Sequence, residues 1–206
     1  MHKTICALMM TLALPLAACG GPGHVSEAEK LALEIRSQYL ELTACSGHMD
    51  LTADYGRRVY DYGVDFSWER EGDTVLTLTA PENVAGVTAS IRKGETALEY
   101  DGVMVETGEL DRLGMTPVAA LTTLLNCARE GYLAQCALEG EAEDQLLMVC
   151  RDPEEVPGTG MQAQLWFDPA DGKLLRGELG CDGVTELFCT FTEFEMTGPA
   201  ASDDKE

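Results

Sequence analysis

The fold is decided by the stretch Tyr60-Asp61-Tyr62-Gly63-Val64-Asp65-Phe66-Ser67-Trp68. Apolar or aromatic residues alternate in it with polar or small ones, and successive side chains of a strand point to opposite faces. The stretch therefore predicts one long strand with one apolar face and one face in water. Its apolar residues are typical of a protein core, and the wall of a ligand cavity is the alternative interpretation.

Further strands are predicted on both sides of this one, joined by short turns. Asp101-Gly102 is typical of a two-residue hairpin, and Glu71-Gly72-Asp73 predicts another tight turn. Such connections favour antiparallel neighbours. From Met49 the spacing of apolar residues changes from a helical period of about 3.6 to a strand period of two. This period predicts further strands over 74–80, 87–92, 96–100, 103–107, 145–150, 162–167, 173–179 and 184–196.

A helix is predicted before the first strand. Ser26 and Glu29 form a capping-box pattern, and apolar residues follow at steps of three and four. We expect this helix to end near Ala44, with Gly47 as its terminator.

A second helix is predicted in the middle of the chain. Thr116 is a suitable N-cap, Pro117 suits the first helical position, and Gly131 is a suitable stop. From Gly131 to Leu138 the pattern indicates only a weakly helical or irregular segment. The element order predicts an α+β fold, a large curved antiparallel sheet forming an open half-barrel with the helices covering its concave face. A cavity between helices and sheet would suit a lipidic ligand.

The N-terminus predicts export. A positive residue, Lys3, precedes an apolar segment over 5–16, which is short for a membrane span. Leu16-Ala17-Ala18-Cys19 then resembles the bacterial lipobox, which implies removal of residues 1–18 and acylation of Cys19. A non-lipidated signal peptide or a short signal anchor is the alternative. We expect a flexible tether over 19–25, a half-barrel domain over 26–198 and a disordered acidic tail over 199–206.

The charge balance excludes one class of partner. The chain has 36 acidic residues, 14 Lys and Arg residues and a formal net charge of −22. Nucleic-acid binding needs clustered cations, so no nucleic-acid partner is expected. An acidic coat that keeps an exported domain soluble explains this charge.

No residue pattern indicates catalysis or a metal centre. His48 has no second histidine in the folded region to support it, and the turn at Asp168-Pro169-Ala170-Asp171-Gly172 departs from the spacing of a calcium loop. We therefore expect a protein that is not an enzyme and has no cofactor. Disulfides and free thiols remain equally open for six cysteines, with fifteen possible pairings: Cys45, Cys127, Cys136, Cys150, Cys181 and Cys189.

The order of elements resembles the lipoprotein carriers of the Lol system, the periplasmic carrier and its outer-membrane acceptor. The resemblance spans about Ser26 to Gly198. It includes related lipoproteins of spore-forming bacteria, one of them a germination lipoprotein. It is carried by the turn from Trp68 to Gly72 with Pro81 after the next strand, and by Phe167-Asp168-Pro169 followed by Gly172-Lys173-Leu174.

The resemblance implies two functions. The first is a membrane-anchored lipoprotein that binds an acyl chain, or the lipid moiety of another lipoprotein, in a hydrophobic cavity. The second is a non-catalytic envelope lipoprotein that binds a protein partner, as the relatives from spore formers do with cell-wall machinery. The candidate cavity residues are Val64, Phe66, Trp68, Leu76 and Leu78 from the sheet, with Leu121 and Leu125 from the second helix.

Overall fold

The structure, a computed structural model, describes residues 25–109, 114–141 and 144–198. The predicted signal peptide, Cys19 and the C-terminal tail lie outside these residues. The described chain contains helices α1 (Glu27–Glu41) and α2 (Ala120–Glu130). Its strands are β1 (Ala44–Asp54), β2 (Val59–Glu69), β3 (Thr74–Ala80), β4 (Thr88–Arg92), β5 (Glu95–Tyr100), β6 (Val103–Glu109), β7 (Leu133–Glu139), β8 (Gln145–Arg151), β9 (Met161–Phe167), β10 (Leu174–Cys181) and β11 (Val184–Thr197).

All eleven strands form one open antiparallel sheet. Its order is β6-β5-β4-β3-β2-β1-β11-β10-β9-β8-β7, so β1 pairs with β11 in the middle and β6 and β7 lie at the edges. The predicted fold class, an open antiparallel half-barrel with two helices, is confirmed. None of the described helices is long and apolar enough to span a bilayer.

The strand that decided the prediction is β2, and most of it follows the expected alternation. Val64, Phe66 and Trp68 are buried, with exposed fractions of 3–6%, and the residues between them are exposed. The pattern weakens at the start of the strand, where Tyr62 is half-buried and Tyr60 is exposed. The aromatic stripe therefore runs from the core out towards solvent.

Helix α1 begins as predicted and ends earlier than predicted. The Ser26 hydroxyl accepts a hydrogen bond from the Glu29 amide at 3.2 Å, and the Glu29 carboxylate accepts one from the Ser26 amide at 2.7 Å. The helix ends at Glu41, and strand β1 already begins at Ala44. The predicted end near Ala44 was wrong, and Gly47 lies inside a strand.

Helix α2 begins later than the N-cap pattern predicts. The backbone carbonyl of Thr116 accepts hydrogen bonds from the amides of Ala119 and Ala120, and this turn leads into a helix that starts at Ala120. The segment after Gly131 was also predicted wrongly. It forms strand β7, which pairs with β8, so tertiary pairing overrides a weak local pattern.

The main core lies between the helices and the concave face of the sheet. The two helices contact each other, and their contacts with the sheet are concentrated on β7 and β8 for α1 and on β9 and β10 for α2. Tyr39 of α1 is fully buried, and its ring meets the Phe167 ring edge-on with centroids 5.4 Å apart. The helices thus cover mainly the β7–β10 half of the concave face.

Candidate functional site

An apolar cavity of about 250 Å³ lies on the other half of the concave face. Strands β1 to β5 form its floor, and the turn before α2 forms its roof. Ten residues line it: Leu51, Tyr62, Val64, Leu76, Leu78, Val87, Ala89, Leu98, Pro117 and Val118. None of them carries a charge, so the cavity suits a hydrocarbon group.

The floor is built by cross-strand pairing. Val64 lies opposite Leu78, and Leu76 lies opposite Ala89, which in turn lies opposite Leu98. Directly opposed residues of antiparallel strands share a face, so the register places these side chains side by side. The resulting surface is continuous across four strands.

The cavity is buried at its base and open at its rim. Val64, Leu76 and Ala89 are at most 6% exposed. Leu98 and Val118 are half-buried and lie where the floor and the roof meet solvent. Part of the cavity lining is therefore accessible to solvent.

The structure brings together three of the seven predicted cavity residues. Val64, Leu76 and Leu78 line the cavity. The other four, Phe66, Trp68, Leu121 and Leu125, are buried in the adjoining hydrophobic core. The Arg129 guanidinium lies 5.8 Å from the centre of the Trp68 ring and covers it with a cation–π contact.

Sequence reasoning missed several lining residues, although some of them had a usable signal. The signal is the strand alternation, which puts four of them in phase with buried residues of the same predicted strand: Tyr62, Val87, Ala89 and Leu98. Pro117 and Val118 were assigned to a helix, and their place in the roof depends on the tertiary contact between that turn and the sheet.

Three tyrosines continue the cavity along the β1–β2 end of the sheet. The Tyr62 ring stacks on the Tyr60 ring with centroids 6.4 Å apart, and the Tyr60 ring meets the Tyr55 ring at 6.5 Å. The Arg58 guanidinium lies 3.5 Å from the Tyr60 hydroxyl. This tyrosine row therefore leads from the apolar cavity to hydrogen-bonding groups and a cation at the surface.

His48 lies away from the cavity, on the outer face of the sheet. Its Nδ1 lies 2.6 Å from an Asp65 carboxylate oxygen, and its Nε2 lies 3.9 Å from Asp50. Among the residues that the structure describes, no three His, Cys, Asp or Glu side chains are grouped as a metal site requires.

All six cysteines of the described chain carry free thiols. Burial raises the pKa of the Cys45, Cys127 and Cys189 thiols to about 12. At neutral pH these groups are protonated, and a protonated thiol is a poor nucleophile. As protonated thiols these three side chains pack in the core like small hydrophobic residues.

No protein-family description matches this chain, and no curated protein does. Among solved structures, it is similar to an uncharacterized conserved protein from Thermus thermophilus, with 11% identity, 84% of this chain and 90% of that chain covered, and a TM-score of 0.48. It is similar to a LolA superfamily protein from Nitrosomonas europaea, with 9% identity, 84% and 94% covered, and a TM-score of 0.42.

A third similar structure is the complex of the CwlD amidase with the GerS lipoprotein from Clostridioides difficile. The identity is 12%, the coverage is 84% of this chain and 98% of that chain, and the TM-score is 0.43. Lol-type proteins are thus among the structures that this chain resembles, as the sequence predicted. At these identities the similarity concerns the fold alone.

Proposed function

We propose that this chain is an extracytoplasmic lipoprotein whose cavity binds an acyl chain, either free or as the lipid moiety of another lipoprotein. The observation that supports this most is the uncharged lining of a cavity with an open rim. Hydrophobic burial stabilises such a complex by about 0.8 kcal/mol for each buried CH₂ group, so no specific polar contact is needed inside.

The size of the cavity sets how the ligand is held. Its volume of about 250 Å³ is below the range of roughly 300–1,000 Å³ that is usual for small-molecule sites. We therefore place one segment of an acyl chain inside the cavity and the rest along the rim. The polar end of the ligand then lies along the tyrosine row, near Arg58.

A substitution that fills the cavity tests this proposal. We expect Ala89→Phe to weaken palmitate binding at least about tenfold, because the new ring occupies the space of the acyl chain. Native mass spectrometry and a fluorescent fatty-acid displacement assay on delipidated protein measure the effect. Ala97→Phe is the matched control, since Ala97 lies one strand away and faces the other side of the sheet.

Three outcomes decide the result. Weaker binding by Ala89→Phe alone supports the cavity. Equal binding by both variants, or no palmitate bound by the parent protein at high micromolar concentration, contradicts it. If Ala89→Phe melts far below the parent, Val118→Asp replaces it, because a carboxylate at the half-exposed roof disfavours an acyl chain without overfilling the core.

Anchoring through Cys19 is the second part of the proposal, and it rests on the lipobox pattern. A diacylated cysteine holds a protein at the membrane through buried hydrocarbon. We expect Cys19→Ala to move the protein from the membrane fraction to the soluble extracytoplasmic fraction, as followed by immunoblotting. Unchanged partition would mean that the apolar segment itself is the anchor.

An envelope interaction lipoprotein with a protein partner is the second candidate function. It is favoured by one separate observation, the exposed apolar residues 103–105 of the edge strand β6. The two candidates are compatible, because the edge and the cavity are different surfaces.

A further inference from the structure

Strand β6 is an edge strand with unusually apolar exposed residues. Val103, Met104 and Val105 are 65%, 62% and 55% exposed. In the described part of the sheet β6 pairs with β5 alone, so the edge of β6 that points away from β5 has no partner strand. We call this exposed strand the β6 edge.

The β6 edge lacks the usual protection of edge strands. Natural edges are blunted by lysine, proline, bulges or a covering helix. The other edge strand, β7, is contacted by helix α1. Residues 103–105 contain no charge and no proline, and the irregularity in the pairing of β5 with β6 lies beyond them, opposite Thr96 and Ala97.

The turn of the hairpin fixes which backbone groups of the β6 edge are free. Asp101 and Gly102 form a two-residue turn with φ values of 51° and 76°, so Tyr100 and Val103 form the hydrogen-bonded pair beside it. Because hydrogen-bonded positions alternate, the N–H and C=O groups of Met104 and Glu106 point away from β5. They are available to a further strand.

The two faces of the β6 edge differ in chemistry. On the concave face Val103 and Val105 lie opposite Tyr100 and Leu98, and Leu98 already lines the cavity. On the outer face Met104 is followed by the exposed carboxylate of Glu106. A strand added here therefore meets valines on one face and an acidic group on the other.

The whole hairpin is acidic. Between residues 95 and 109 there are five carboxylates and no Lys or Arg: Glu95, Glu99, Asp101, Glu106 and Glu109. A second copy of this chain would bring the exposed carboxylates of this hairpin against identical groups, which is unfavourable. Charge complementarity instead favours a basic partner.

We propose that the β6 edge binds an extended segment of a basic protein partner, which adds a twelfth strand to the sheet in antiparallel orientation. The segment alternates apolar residues, which lie beside Val103 and Val105, with Lys or Arg residues, which lie opposite Met104 and Glu106. Backbone hydrogen bonds supply affinity and the alternating side chains supply specificity. The proposal is independent of ligand binding in the cavity.

A synthetic decapeptide in which valine alternates with lysine is the probe, and its backbone provides the matched controls. In the proposed register the lysine N–H groups bond to the β6 edge, whereas the valine N–H groups point away. Methylation of the backbone nitrogens at the lysine positions should weaken binding about tenfold or more, and methylation of those at the valine positions should preserve it. Fluorescence polarisation at physiological ionic strength measures the affinity of both peptides. Because the two peptides carry the same charge, a difference in affinity reports on the backbone hydrogen bonds.

Variants of the chain locate the site. Met104→Pro removes the outward N–H without touching the bonds to β5, so the fold should persist and peptide binding should fall by the same factor. Met104→Thr keeps the N–H and should bind like the parent. In the complex the amides of Met104 and Glu106 should become protected from hydrogen exchange, whereas those of Val103 and Val105 are protected already.

Each other outcome overturns the proposal. Equal binding of both N-methylated peptides would mean that charge alone attracts them. Binding by Met104→Pro at parental strength would place the peptide elsewhere, and no binding by the parent would leave the β6 edge without this class of partner. Concentration-dependent dimers that Met104→Pro abolishes would identify a second copy as the occupant.

Discussion

Trp68→Ala is expected to lower the free energy of unfolding by about 3–5 kcal/mol, the usual cost of removing a buried tryptophan side chain. Trp68 is 6% exposed and lies between Cys45 of β1 and Thr74 of β3. The substitution removes its packing and its contact with Arg129 of α2. For a domain of this size the melting temperature should fall by on the order of 10 °C, as measured by circular dichroism.

Tyr132→Ala is the control for loss of an aromatic ring, because Tyr132 is 54% exposed. It should melt within a few degrees of the parent. If Trp68→Ala instead melts like the parent and loses palmitate, then Trp68 lines an open cavity and its assignment to the core is wrong.

Gly47→Ala is expected to destabilise the protein by about 3 kcal/mol or more, at the upper end of overpacking effects. A Cβ at Gly47 would lie 2.0 Å from the backbone oxygen of Glu193 in β11. Backbone atoms of a central strand cannot yield as the end of a long side chain can. The glycine also lies between Phe66 and Phe194, whose rings meet across it with centroids 5.8 Å apart.

Ser46→Ala is the matched control, since Ser46 is the neighbouring residue of β1 and is exposed. Urea denaturation of both variants gives the two free energies of unfolding. A Gly47→Ala variant as stable as Ser46→Ala would contradict this prediction. It would mean that β1 and β11 do not approach each other as closely at Gly47 as their pairing in the structure requires.

The strands that the sequence predicted well are those with strict alternation and clear turns. β2 and the β5–β6 hairpin are examples, because a period of two and Asp101-Gly102 are local signals. Local signals failed where pairing partners decide the structure. Gly47 resembles a helix stop in sequence. In the structure it lies in β1, where the backbone of β11 approaches so closely that only glycine fits, and β11 lies far along the chain.

Burial on both faces also limited prediction. Strand β8 is buried along residues 146–150, although one face of it lies outside the main core. On that outer face Leu147 and Val149 pack with Trp166, whose ring is covered by the Arg176 guanidinium at 3.7 Å. An arginine that covers a tryptophan cannot be recognised from either residue alone.

The sequence predicted a hydrophobic cavity between the helices and the sheet, but it identified only part of the lining. Alternation identifies which residues face inwards, and it correctly put Val64 and Trp68 on the same face. It does not tell which inward residues are covered by a helix. Trp68 contacts α2, whereas Val64 lies where the helices give way to the cavity.

The most direct test of the central claim is an intermolecular nuclear Overhauser experiment with methyl-labelled protein and palmitate. The acyl protons should give contacts to the methyl groups of Val64, Leu76 and Leu78, which line the cavity, and none to those of Leu121 and Leu125, which are fully buried in the core. Contacts to the second set alone, or no contacts at saturating palmitate, would contradict acyl-chain binding in this cavity.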